Sequence, residues 1–209
     1  MFNNLSIQGL AVMLPALIVA FTVHELSHGL MAYILGDETA KRDGRLTLNP
    51  IRHIDPMGLI CIILFQFGWA KPVMINTDNL KNPKVDMALI AFAGPLSNFV
   101  MGFFAMLAWV PLNFNTNLPG WAMSTLMQFS WINILLGVFN LLPIPPLDGS
   151  KVISGILPDA VFHAYNRLAR YGMLILIIMM FTGVTSSIIF PIIEAIFYFF
   201  FGIALRLFL

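Results

Sequence analysis

Residues 7–35 read IQGLAVMLPALIVAFTVHELSHGLMAYIL. About 20 apolar residues suffice for a helix to cross the hydrocarbon core of a bilayer, and this run is longer. It stops at Gly36 and the charged stretch Asp37, Glu38, Lys41, Arg42 and Asp43. Residues 1–10 carry no Lys or Arg, so the charged start of a cleaved leader is missing, and the run is too long for a leader's apolar region. It reads as a retained first span.

The rest of the chain agrees. Of its 209 residues 59% are hydrophobic and 10% charged, against about 45–50% and about 25% in soluble domains. One soluble core cannot bury such an excess, so the solvent is lipid. A net charge of +1 gives no basis for nucleic-acid binding, and Cys61, alone, forms no internal disulfide. Further spans are expected at about 85–112 and 121–142. The apolar tail, about 171–209, is punctuated by Gly183, Thr185, Ser186, Ser187 and Pro191 into two spans or one broken span. Met57–Gly68 is apolar but short, and reads as a re-entrant or buried piece. Gly68-Trp69-Ala70-Lys71-Pro72-Val73, followed by Met74-Ile75-Asn76, suggests a small hairpin. The expectation is an all-α polytopic membrane protein of about five to six transmembrane helices. A short re-entrant or β-hairpin segment lies between its first and second full spans. It forms one domain, 1–209, with a motif-bearing core at about 7–155 and hydrophobic helices at about 171–209.

Basic residues orient the chain. Lys41, Arg42, Arg45, Arg52, Lys71, Lys81 and Lys84 separate the first two full spans, and Lys151, Arg167 and Arg170 follow the third. The connection around 113–120 has none. Regions 36–84 and 143–170 are therefore expected in the cytoplasm, with the N-terminus outside.

Within the first span stands His24-Glu25-Leu26-Ser27-His28. Residues four apart share a helix face, so both imidazoles can reach one metal ion. Glu25, adjacent, is placed to take a proton from water at that metal. Ionisable groups inside a span are costly and mark function. Catalytic zinc usually has three protein ligands. Asp148 closes the run Asn140-Leu141-Leu142-Pro143-Ile144-Pro145-Pro146-Leu147-Asp148-Gly149, on the same side of the membrane as the histidines. Its prolines break the helix, and such backbone is tolerated at membrane depth where it lines a wet cavity. Asp148 then supplies the third ligand or caps a helix starting near Gly149, and spacing leaves both open.

These two motifs resemble those of the site-2 protease family of intramembrane zinc metalloproteases. The stretches Leu48–Pro56, Gly68–Val73 and Ala93-Gly94-Pro95-Leu96-Ser97-Asn98 are similar to it as well. The resemblance covers about residues 20–155 and fits the compact type without fused sensing domains. It implies one zinc ion per chain on His24, His28 and Asp148, with Glu25 as the catalytic base. It puts Asn140 beside the metal, to hold substrate or polarise the scissile carbonyl; interhelical hydrogen bonding would also explain that residue. The implied activity is hydrolysis of a peptide bond within or near a substrate's transmembrane segment, in a cell membrane, with the site toward the cytoplasm. The partners are a transmembrane protein substrate and the bilayer. A membrane metal-ion transporter and an inactive membrane-binding relative are the alternatives. His53 would contact substrate, donate a proton or stabilise a turn, His163 is expected at the surface, and Glu194 would line a cavity or pair with Arg206.

Overall fold

The computed structural model describes residues 7–65, 68–115, 118–158, 161, 162, 165, 167 and 169–208. Among them the elements are α1 (Ile7–Ile34), α2 (Thr39–Arg42), α3 (Pro56–Phe65), α4 (Pro83–Asn115), α5 (Gly120–Asn140), α6 (Asp148–Ile156), α7 (Gly172–Phe181) and α8 (Val184–Phe208), with single 3-10 turns at Pro50–Arg52 and Thr77–Asn79. Four of them, α1, α4, α5 and α8, are long and apolar enough to cross a membrane. Even α5, with 21 residues, reaches about 31 Å at 1.5 Å per residue.

Helix α4 is the hub, packing against α1, α5, α6 and α8. Between helices in lipid there is little hydrophobic driving force, so association rests on close packing and interhelical hydrogen bonds. Ala16 and Ala20 of α1 pack with Ile132 and Leu136 of α5. Ile134 and Val138 of α5 pack with Ile189 and Ile193 of α8. The Ser130 hydroxyl of α5 donates to the Gly102 carbonyl of α4 at 2.8 Å.

Helix α3 has 10 residues and spans only about 15 Å, half a hydrocarbon core. After it, residues 68–76 run as an extended arm; no strand forms among the described residues, and the expected hairpin is not seen. The reason lies in the donors. Pro72 has no N–H. The Lys71 N–H is taken by the His53 carbonyl at 2.8 Å, beside a single antiparallel bridge between Ile54 and Ala70. The Val73 N–H goes to Glu25 and the Asn76 N–H to Asp37.

The loop after α1 anchors this arm. Asp37 is fully buried and accepts from the Thr39 amide and hydroxyl, the Asn79 amide group and the Asn76 N–H. The buried Arg45 guanidinium donates to the Arg52 and Lys71 carbonyls. In the tail, α7 has 10 residues and is separated from α8 at Gly183, whose φ of 74° is left-handed.

Candidate metal centre

The site is assembled where the start of α6 meets the C-terminal half of α1. His24 and His28 project from consecutive turns of α1, their rings edge to face with centroids 4.6 Å apart. Asp148 arrives from the start of α6. Three prolines end α5 and turn the chain, and Gly149 lets α6 begin hard against the end of α5. A Cβ on Gly149 would lie 2.2 Å from the Leu141 carbonyl oxygen and 2.4 Å from that of Leu142. Asp148 is the first residue of α6, not its cap: Leu147 holds the cap position and makes no side-chain bond. The Asp148 carboxylate faces the histidines.

His24 Nε2 and His28 Nε2 are 3.0 Å apart, and Asp148 Oδ2 is 3.1 Å from the first and 3.2 Å from the second. All three side chains are buried. His28 Nδ1 lies 2.7 Å from the Ile90 carbonyl, which can only accept, so that nitrogen carries the proton. His24 Nδ1 lies 2.7 Å from Asn98 Oδ1, also an acceptor. Both Nε2 atoms in neutral rings therefore turn lone pairs toward the Asp148 oxygen. Three electron-rich atoms so close repel one another unless a cation lies among them. Ligands at about 2.0–2.1 Å on tetrahedral zinc stand about 3.3 Å apart. The donor set and its spacing fit that ion.

Glu25, half-buried on the same helix, accepts the Val73 N–H at 2.9 Å. With the histidines, Asp148 and Asn140 it lines a cavity of about 850 Å³, walled by α1, α5, the 68–75 arm, α7 and α8. Asn140 donates one amide N–H to the Leu136 carbonyl of its own helix at 3.0 Å. His53 is not in that cavity. It is fully buried, and its Nε2 bonds the Thr47 carbonyl at 2.8 Å, so it holds a turn. Glu194 is exposed on α8 and outside the cavity lining. Arg206 lies twelve residues further along the same helix, about 18 Å away, too far to pair. His163 lies outside the described residues.

Some site residues carry no signal at the level of spacing. Lys151 places its ammonium 3.7 Å from Asp148 Oδ1 and lines the cavity; in the sequence it marks only orientation. Gly94 provides room for both imidazoles. Asn98 and Asn133 are each fully buried and meet behind His24. Uncharged amides inside apolar spans were the available hint, but they also read as helix-to-helix adhesion.

The chain is similar to known zinc metalloproteases. The model of peptidase family M50 matches residues 115–184. The "Putative zinc metalloprotease YwhC" of Bacillus subtilis (strain 168) is 38% identical over 190 residues, covering 86% of this chain and 84% of that protein. The zinc metalloprotease MJ0392 of Methanocaldococcus jannaschii is 28% identical over 192 residues, 91% of this chain but 48% of its own length. A second protein of that organism, MJ0611, is 31% identical over 155 residues, 73% of this chain and 74% of its own. No solved structure matches the chain.

Proposed function

The chain belongs to peptidase family M50, the site-2 protease family of membrane zinc metalloproteases, and from that premise we propose how this one works. It hydrolyses a peptide bond within or next to the transmembrane segment of another membrane protein. His24, His28 and Asp148 hold one zinc ion, and Glu25 is the general base. The observation that carries this reading is the triangle of donor atoms, 3.0–3.2 Å on a side, sharing a cavity wall with a carboxylate.

Zinc held by these groups supplies Lewis acidity, polarising a carbonyl and easing the ionisation of water. Glu25 takes the proton of the attacking water and delivers it to the leaving amine. The Val73 N–H bound to one Glu25 oxygen fixes the carboxylate and leaves the other oxygen for that proton. Asn140 has a second amide N–H free of its bond to Leu136, suited to the scissile carbonyl. A substrate helix must unwind first, because its carbonyls are otherwise hydrogen-bonded along the helix. The arm at 69–76 meets the unwound segment at Met74, whose side chain is exposed and whose N–H is not among those given to His53, Glu25 and Asp37, so strand addition there is limited to that position. Among the described residues four helices are long and apolar enough to cross the membrane, one fewer than the lower end of the expected five to six passes; α7, with 10 residues, reaches only about 15 Å. The basic residues of 36–84 and 143–170 put the site on the cytoplasmic side of a cell membrane.

Glu25→Gln is the test. Cleavage of a single-span substrate by the purified variant should fall by at least about 100-fold, the scale of acid–base catalysis, while zinc content stays at the wild-type level. Undiminished cleavage would overturn the assignment of the base. A protein that holds zinc, moves it across vesicle membranes and cuts nothing would favour a transporter.

A further inference from the structure

We infer that Asn98 and Asn133 are positioning residues: a buried amide relay that locks the His24 ring with its Nε2 lone pair turned toward the metal. This rests on reading His24 as a ligand, and extends it to two residues on other helices.

The relay runs one way only. The Phe129 carbonyl can only accept, so Asn133, 2.9 Å away, must present its amide nitrogen there. Asn133 Oδ1 is thereby turned to Asn98, 3.0 Å off, where only a donor can meet it. Asn98 presents Nδ2, which also approaches the Ala20 carbonyl, another obligate acceptor, at 3.3 Å. Asn98 Oδ1 is left facing His24 Nδ1 at 2.7 Å. An acceptor at that place keeps the proton on Nδ1. Both asparagines are fully buried, so no water competes. Helices α1, α4 and α5 each supply one member.

The alternative state shows what the lock prevents. Asn98 rotated by half a turn would set an N–H against His24 Nδ1 and drive the ring proton to Nε2. That proton would then point among the donor atoms, 3.0 Å from His28 Nε2 and 3.1 Å from Asp148 Oδ2, where it would block a ligand bond. A hydrogen bond on the far nitrogen of a metal-binding imidazole fixes tautomer and ring orientation in this manner. Two asparagines that merely joined helices would not need this polarity.

The experiment uses the full chain in detergent, with zinc or cobalt alone as probe, titrated against a chelator. Asn98→Leu should bind metal about 10–100-fold more weakly than wild type. Asn98→Asp keeps an oxygen facing His24, with its other oxygen protonated against Asn133, and should retain both the affinity and the visible absorption of the cobalt form. Asn133→Leu, which frees Asn98 to rotate, should also weaken binding. A folded Asn98→Leu that holds metal as tightly as wild type would overturn the proposal. A readout independent of variant folding is the ¹⁵N spectrum of the His24 ring in metal-stripped wild type, assigned with a His24→Asn variant. Protonation at Nδ1 supports the lock, and protonation at Nε2 overturns it. Wild type that holds no zinc would instead count against the metal reading itself, and the ring spectrum would still decide the relay.

Discussion

Between Gly94 and the two imidazoles there is no room for a methyl group. A Cβ there would stand 2.4 Å from His28 Nε2, 2.5 Å from His28 Cε1 and 2.8 Å from His24 Cε1, inside van der Waals contact. Alanine is the better helix former by about 1 kcal/mol, so Gly94→Ala favours α4 as a helix while displacing both rings. Metal affinity and cleavage should fall together, cleavage by about 100-fold, the cost of a roughly 1 Å misplacement. Measured thermal stability should change little in the presence of a chelator. Cleavage at the wild-type rate would show that the rings are not held there. At this scale the sequence is uneven. His24 and His28 announce themselves because four residues is a helical repeat, and Glu25 because a carboxylate in a span is costly. Asp148 reads equally as ligand or cap until α6 shows Leu147 at the cap. Gly94, Asn98 and Asn133 act only across helix contacts, which no spacing encodes.

Among the elements, the arm at 68–76 is held by side chains instead of a sheet. Asp37 is its main anchor. Burial pushes its carboxyl up, but bonds from Thr39, Asn79 and Asn76 outweigh this and hold it below the ordinary value of 3.8. A depressed carboxyl stabilises the folded state fully above its ordinary value, and that contribution is lost as pH falls below it toward the depressed one. Protection of the arm from proteolysis should therefore decline in wild type below about pH 4. Asp37→Asn should be less protected at neutral pH, by about 1.5–3 kcal/mol for bonds to a charged acceptor, and should lack that decline. Asp55 is also held low, by the Gly58 and Met57 amides, so the difference between the two proteins isolates Asp37. Equal acid sensitivity in both would remove Asp37 as the anchor. Strand propensity at 68–76 was legible; that Glu25 and Asp37 would take its donors was not, because both lie more than thirty residues away.

Over the whole molecule, the long helices were the most legible part. The spans expected at 85–112 and 121–142 appear as Pro83–Asn115 and Gly120–Asn140, because a length of apolar chain is what lipid demands. The tail was ambiguous since it is apolar on all sides, and its division at Gly183 rests on backbone conformation. The result is a bundle around α4 with a cavity of about 850 Å³ lined in part by His24, His28 and Asp148. Its lining from α7 and α8 includes Met173, Leu176, Ile177, Ile189 and Phe190. Such an apolar wall suits the membrane segment that the proposed function requires. The most direct measurement is the cut itself. The purified chain is placed in liposomes with a single-span protein, and the products are mapped by mass spectrometry with zinc present, chelated and restored. The expected result is a cut within or next to the membrane segment that stops with the chelator and returns with zinc. A cut confined to distant soluble regions, or one indifferent to chelation, would contradict the proposed function.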